Sequence, residues 1–147
     1  MHKEFDNVRE FMISFGQAAP DVPVMPLDAT KHLRWKLCNE ESKELGDSTN
    51  LAEYTDAVVD LMYVTIGSAI AAGIGPETFS RAWDRVHASN MSKFWMSEEI
   101  ENIPGTWSFS SAGNGRFVVR DESGKVRKSP SYQPVDLSYL FPRTDKP

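Results

Sequence analysis

Two acidic stretches hold the residues best suited to chemistry. In N-E-E-S-K-E-L, Glu40, Glu41 and Glu44 fall at i, i+1 and i+4, so at about 100° per residue they share one side of a helix turn. In E-Y-T-D-A-V-V-D, Glu53, Asp56 and Asp60 fall at i, i+3 and i+7 and do the same. Like charges so placed repel, each pair costing an isolated helix about 0.2–0.5 kcal/mol. Either water screens them, as on an ordinary solvated helix face, or a cation gathers them. If the two helices pack antiparallel through a loop near Gly46–Asn50, their acids meet across a cleft rich in oxygen and free of sulfur. Such a cleft suits Mg²⁺, or Mn²⁺, better than zinc. Glu41 and Asp60 stand among apolar residues at core spacing, Leu37/Leu45 and Leu61/Met62, which favours the cation.

The elements that must position these acids are legible as helices. Phe5, Val8, Phe11/Met12 and Phe15 repeat at helical spacing and predict a first amphipathic helix over Glu4–Phe15. Pro20, Pro23 and Pro26 then exclude a helix, and Gln17 near the start of that connection faces either water or a ligand. Asp28 is the expected cap of a second helix, Ala29–Leu45, whose stripe Leu33, Leu37, Cys38, Glu41, Leu45 sets the acids at the edge of the core. Gly46 is expected to end it. Asn50 is expected to cap a third helix from Leu51 to about Ala72, with Glu53 either in the capping-box position or on a metal. That helix is apolar on several faces, so it is expected at the centre of the fold or under a second subunit. Gly73 should stop it, and Gly75-Pro76 should open a fourth helix, Pro76–Phe94. Asn90 and Lys93 extend the apolar stripe of that helix, either as cap and solvated cation or at the mouth of the acidic cleft. Beyond Trp95 the period changes: Thr106–Phe109 and Arg116–Arg120 flank Asn114-Gly115, a hairpin signal. Asp121–Gly124 is a further turn. Ser129–Pro147, with Pro130, Pro134, Pro142 and Pro147, is expected to be an irregular tail whose aromatics dock on the body.

With 147 residues, the chain reads as a single domain, a helical core over about 4–94 followed by a hairpin and tail over about 95–147. A formal net charge of −5 argues against a nucleic acid or an anionic membrane as partner. Cys38 is the lone cysteine, so neither an internal disulfide nor a thiolate metal site is available. The opening M-H-K-E-F-D-N has no apolar signal region, and the longest apolar run falls short of a membrane span. A cytoplasmic location is expected.

Taken together, the residues resemble the all-α nucleoside triphosphate pyrophosphohydrolases, specifically the short MazG-like enzymes of phages and bacteria. R-W-K-L-C-N-E-E-S-K-E-L corresponds to the family's E-E-x-x-E, A-V-V-D-L-M-Y-V supplies the aspartate of its E-x-x-D, and V-H-A-S-N-M-S-K and V-R-D-E-S-G-K-V-R-K-S-P-S-Y-Q-P-V-D-L follow. Where many relatives have the glutamate of E-x-x-D, this chain has Ala57. Asp56 is the expected replacement, and Glu53 is the other candidate. The resemblance implies an all-α, four-helix MazG-like core with a small C-terminal β-hairpin and an irregular tail. It implies Mg²⁺-dependent (or Mn²⁺-dependent) hydrolysis of a nucleoside or deoxynucleoside triphosphate to monophosphate and pyrophosphate, with dGTP or GTP as the suggested substrate. A dUTP-type enzyme is the near alternative, and a non-enzymatic dimeric helical binding or regulatory protein the distant one. By the same resemblance Glu40 is the general base, and Glu41, Glu44, Asp56, Asp60 and Glu53 form the metal set. Lys93 would serve both catalysis and binding, with Gln17, Arg34, Asn90, Lys125, Lys128 and Tyr132 as further substrate contacts; Trp35 or Trp83 could stack a base. A homodimer or homotetramer is implied, in the host cytoplasm if the protein is phage-encoded.

Overall fold

The computed structural model describes residues 1–141. Pro142 and Pro147 of the expected tail lie outside them. Two compact units divide the chain, Met1–Ser80 and a second beginning at Arg81. The expected helical core is thus partitioned within its fourth helix.

The first unit is built from α1 (His2–Ser14), α2 (Asp28–Asp47), α3 (Leu51–Ala71) and the start of α4 (Pro76–Met91). Phe5, Val8 and Met12 of α1 bury against Ile66, Ala69, Ile70 and Ala71 of α3, with Ala19, Tyr63, Ile74 and Phe79 packed around them. Each such large side chain contributes about 1.5–3 kcal/mol of transfer free energy. Buried Gly67, Ala69 and Ala71 of α3 permit close approach of the neighbouring helices.

Both helix ends in this core are closed by glycine. After α1, Gly16 has φ 68°; its N–H donates to Ile13 O at 3.0 Å and the Gln17 N–H to Met12 O at 2.7 Å. After α3, Gly73 has φ 67°, and Gly73 and Ile74 donate to Ile70 O at 2.9 Å and Ala69 O at 3.0 Å. These are paired Schellman bonds, which satisfy carbonyls that a helix end otherwise leaves unpaired.

Helix α2 departs from expectation. Asp28 is not its cap: it lies within the first turn and pairs with Lys31 at 2.6 Å, favoured by the positive end of the helix dipole. Gly46 does not end it, because glycine in a helix costs only about 1 kcal/mol and the helix continues to Asp47. No residue of α2 is buried, and Leu33 is 48 % exposed. Within one chain, only the α3 side of the expected core stripe is covered.

In the second unit α4 ends at Met91, short of the expected Phe94. Strand β1 (Trp95–Met96) joins β2 (Ser108–Gly113) and β3 (Arg116–Arg120) in an antiparallel sheet of order β1-β3-β2. The expected hairpin is therefore a three-stranded sheet. Its turn is as read: Asn114 and Gly115 have φ 53° and 69°, the left-handed pair that matches strand twist. A two-stranded ribbon is marginal alone, and β1 pairs Trp95 with Phe117 on the free edge of β3. The tail docks on the α4 residues of this unit: Ser89 Oγ donates to Gln133 O at 2.8 Å, and the Arg85 guanidinium lies 5.1 Å from the Tyr139 ring.

Candidate functional site

The acids are positioned by the α2–α3 pair and its three-residue connection, Ser48–Asn50. Asn50 Oδ1 accepts from the Ala52 and Glu53 N–H groups at 3.1 and 3.0 Å. Glu53 Oε2 accepts from the N–H and hydroxyl of Thr49, each at 2.8 Å. These bonds hold the Glu53 carboxyl below its usual range, the Thr49 N–H being the largest cause. Glu53 is thus a capping residue, reaching one position further back than the usual box. So tight a turn makes the helices antiparallel neighbours, and Cys38 Sγ lies 3.8 Å from Ser68 Oγ across them.

Arg34, Cys38 and Glu41, at i, i+4 and i+7, form the α2 face turned toward α3. Glu41 is half-buried, whereas Glu40, Glu44, Asp56 and Asp60 are exposed. Burial pushes the Glu41 carboxyl up, and the charges of Glu44, Asp60, Glu40 and Asp56, in that order, push it further. Glu53, tied into its cap, is not among these causes. The structure therefore gathers five of the expected carboxylates into one electrostatic cluster centred on Glu41.

A divalent cation is what such a cluster fits in kind: the donors are all carboxylate oxygens, and a half-buried acid is destabilised by its like-charged neighbours. Among the described residues no three acidic, histidine or cysteine side chains converge into a ready-made ligand shell.

Two residues expected at the ligand meet one another. The bond that closes α1 presents Gln17, whose Oε1 accepts from Arg34 Nη2 at 2.6 Å. Arg34 crosses α3 at Gly67, where a Cβ would come within 2.8 Å of Nη1. Its Nε is buried without a partner, and burial lowers the guanidinium pKa. Trp35 and Trp83 are 61 % and 60 % exposed.

The second unit gathers a basic cluster. Lys93 Nζ donates to Asn90 Oδ1 at 2.7 Å. Lys128 Nζ stands 4.3 Å from the centre of the Tyr132 ring. The Tyr132 hydroxyl lies 3.1 Å from Ser89 Oγ; that contact, followed by the charges of Lys128 and Lys93, lowers its pKa. Asn90, Lys93, Lys128 and Tyr132 are thus neighbours, and Lys125 lies on the Asp121–Lys125 turn. Ser89, buried and holding the tail at Tyr132 and Gln133 to α4, was missed from sequence because a lone helical serine carries no signal.

The family model described as phosphoribosyl-ATP pyrophosphohydrolase matches residues 8–90, more than half of the chain. The chain belongs to this family. No curated protein matches it significantly. The phosphoribosyl-ATP pyrophosphohydrolase family is part of the MazG-like all-α superfamily, so the earlier resemblance holds at the level of the superfamily. Membership implies pyrophosphohydrolase activity on a nucleotide-like substrate. The matched residues include α2, α3 and the acidic cluster but end before the sheet. At position 57 this member has a buried alanine, 4 % exposed. Asp56, one residue and about 100° away, is exposed and acts on Glu41.

Proposed function

We propose that this family member hydrolyses a nucleoside or deoxynucleoside triphosphate between the α- and β-phosphates in a metal-dependent reaction, with dGTP or GTP preferred. What supports this reading is the family match over residues 8–90, together with half-buried Glu41, whose carboxyl is pushed up by burial and by the charges of four nearby acids. Glu41, Glu44, Asp56 and Asp60 would hold Mg²⁺ or Mn²⁺, and Glu53 would stay in its cap. When bound, such an ion would supply neutralisation of phosphate charge. Glu40, adjacent on the same helix side, accepts the proton of the attacking water. The new bond joins water oxygen to the α-phosphorus, and the bond to the bridging oxygen breaks, releasing pyrophosphate. Arg34 and Gln17 would contact the substrate.

A phosphoribosyl-linked nucleotide is the second reading, favoured by the matched family's description. One assay separates the two: pyrophosphate release from each ribo- and deoxynucleoside triphosphate and from phosphoribosyl-ATP, with Mg²⁺, Mn²⁺ or EDTA. Turnover of a triphosphate only with metal is expected; metal-independent turnover, or turnover of phosphoribosyl-ATP alone, overturns the proposal. We also propose a cytoplasmic homo-oligomer. Among the described residues no single helix is long and apolar enough to cross a membrane.

A further inference from the structure

The sheet unit contains a cleft that neither the family match nor the acidic cluster accounts for. Its walls begin with the turn after β3. The Asp121 carboxylate accepts from the Ser123 N–H, the Ser123 hydroxyl and the Lys125 N–H at 3.0, 2.7 and 3.0 Å, and Gly124 turns back at φ 80°. The chain returns alongside β3, with the Arg127 N–H donating to Val119 O at 2.8 Å. Trp95, 6 % exposed, donates its indole N–H to Arg127 O at 3.1 Å. The Arg127 guanidinium lies 4.9 Å from the centre of the Trp107 ring and 3.4 Å from Asp121. The result is a cleft of about 400 Å³ lined by Trp95, Trp107, Lys125, Arg127, Lys128 and Pro130, among others.

Three cations in four residues repel, and the Arg127 charge alone is answered by a carboxylate among the described ion pairs. Lys125 and Lys128 are left to attract an anion at the rim of an aromatic-lined cavity, in a chain of net charge −5. Cavities of this size suit small molecules. We propose that the cleft binds a nucleotide, its base against the Trp107–Arg127 platform and its phosphates on Lys125 and Lys128. An aromatic platform adds about 1–3 kcal/mol per stacked base, which a bare phosphate cannot use. Trp107 thereby becomes a ligand-binding residue in a segment outside the matched residues 8–90. The identity of the ligand rests on the proposed function; the site itself does not.

Calorimetric titration of the full chain in EDTA tests it, with GTP and inorganic pyrophosphate as probes. Without metal no cation joins phosphate to the carboxylate cluster, and the Trp107 and Lys125 variants report whether the remaining binding is at the cleft. GTP is expected to bind at least ten-fold more tightly than pyrophosphate. Trp107→Ala is expected to weaken GTP at least ten-fold, and Trp107→Phe to retain most of the affinity. Because loss of Trp107 could disturb the sheet, exposed Lys125 gives a second test: Lys125→Glu is expected to weaken both probes at least ten-fold with an unchanged melting temperature. Absence of GTP binding, equal affinity for GTP and pyrophosphate, or indifference to both Trp107→Ala and Lys125→Glu overturns the proposal. Parallel hydrolysis assays with Mg²⁺ keep the two readings apart. Hydrolysis without binding in EDTA overturns the cleft alone; binding without hydrolysis of any triphosphate overturns the proposed function alone.

Discussion

Glu41 concentrates the physical problem of the acidic site in one side chain. Its carboxyl is pushed up by burial and by the charges of four other acids. A raised pKa means that the native state holds the proton more readily than the unfolded chain, so metal-free stability falls as pH rises through the shifted value. Glu41→Gln removes that charge. In EDTA at neutral pH the variant is expected to melt above the wild type, and the gap should close below about pH 4, where an ordinary carboxyl is itself protonated. With Mg²⁺ the order should reverse and turnover should fall at least about 100-fold, equivalent to roughly 3 kcal/mol of transition-state stabilisation. Melting curves across pH, with and without metal, check the first half; pyrophosphate release checks the second. Undiminished turnover would remove Glu41 from the site. Gly67 poses a smaller problem of the same kind, since an alanine there meets Arg34 Nη1 at 2.8 Å. The guanidinium end is flexible and should move, so Gly67→Ala is expected to break the Gln17 bond and cost about 1 kcal/mol, read by denaturant unfolding.

Within the elements, the sequence was legible wherever a local rule acts alone. Asn50 caps α3 and Gly73 ends it, because capping and left-handed backbone are properties of a few adjacent residues. The end of α2 was misread, since a glycine costs a helix only about 1 kcal/mol and the helix runs through Gly46 to Asp47. Strand β1 was invisible: two residues, Trp95 and Met96, become a strand only because β3 offers them an edge. The acids were recognisable by spacing, but that Glu53 is held in the cap of α3 needed the Thr49 bonds to show it. It yields a paired test. Asp56→Asn is expected to abolish metal-dependent turnover with little loss of stability. Glu53→Gln should lower the melting temperature, chiefly above the ordinary carboxylate pKa because its folded value is depressed, while leaving measurable turnover. The reverse pattern would place Glu53 on the metal. Gly73→Ala should be the more severe change: its Cβ would fall 1.9 Å from Val22 O, and left-handed backbone alone costs about 1–2 kcal/mol. Melting should drop by at least about 4 °C.

At the scale of the whole molecule, the unanswered surface lies along α2 and α3. Leu51, Val59 and Tyr54 of α3 are 80 %, 56 % and 50 % exposed, Met62 and Val58 are 46 % and 42 %, and Leu33 and Trp35 of α2 are 48 % and 61 %. Single exposed apolar residues are ordinary, but several sharing one face of a helix point to a partner. Leu51, Thr55 and Val59 recur every four residues and line one open groove of about 520 Å³ together with Ala52 and Asp56. A helix of the same chain, carrying the same stripe, is a natural occupant, and a two-fold interface would bury the patch on both copies at once. The expectation is a homo-oligomer at micromolar concentration, with no dominant monomer in sedimentation velocity. Val59→Glu should shift the population toward monomer, because placing a charge in an apolar contact without a partner costs several kcal/mol. Its effect on turnover carries further information, since Asp56 lines the same groove. If a neighbouring subunit orders that carboxylate, the monomeric variant loses activity even though every acid of the cluster remains, and raising the protein concentration restores it. A wild-type monomer with full activity would show that the α3 stripe is simply solvated and that each chain completes its own acidic site.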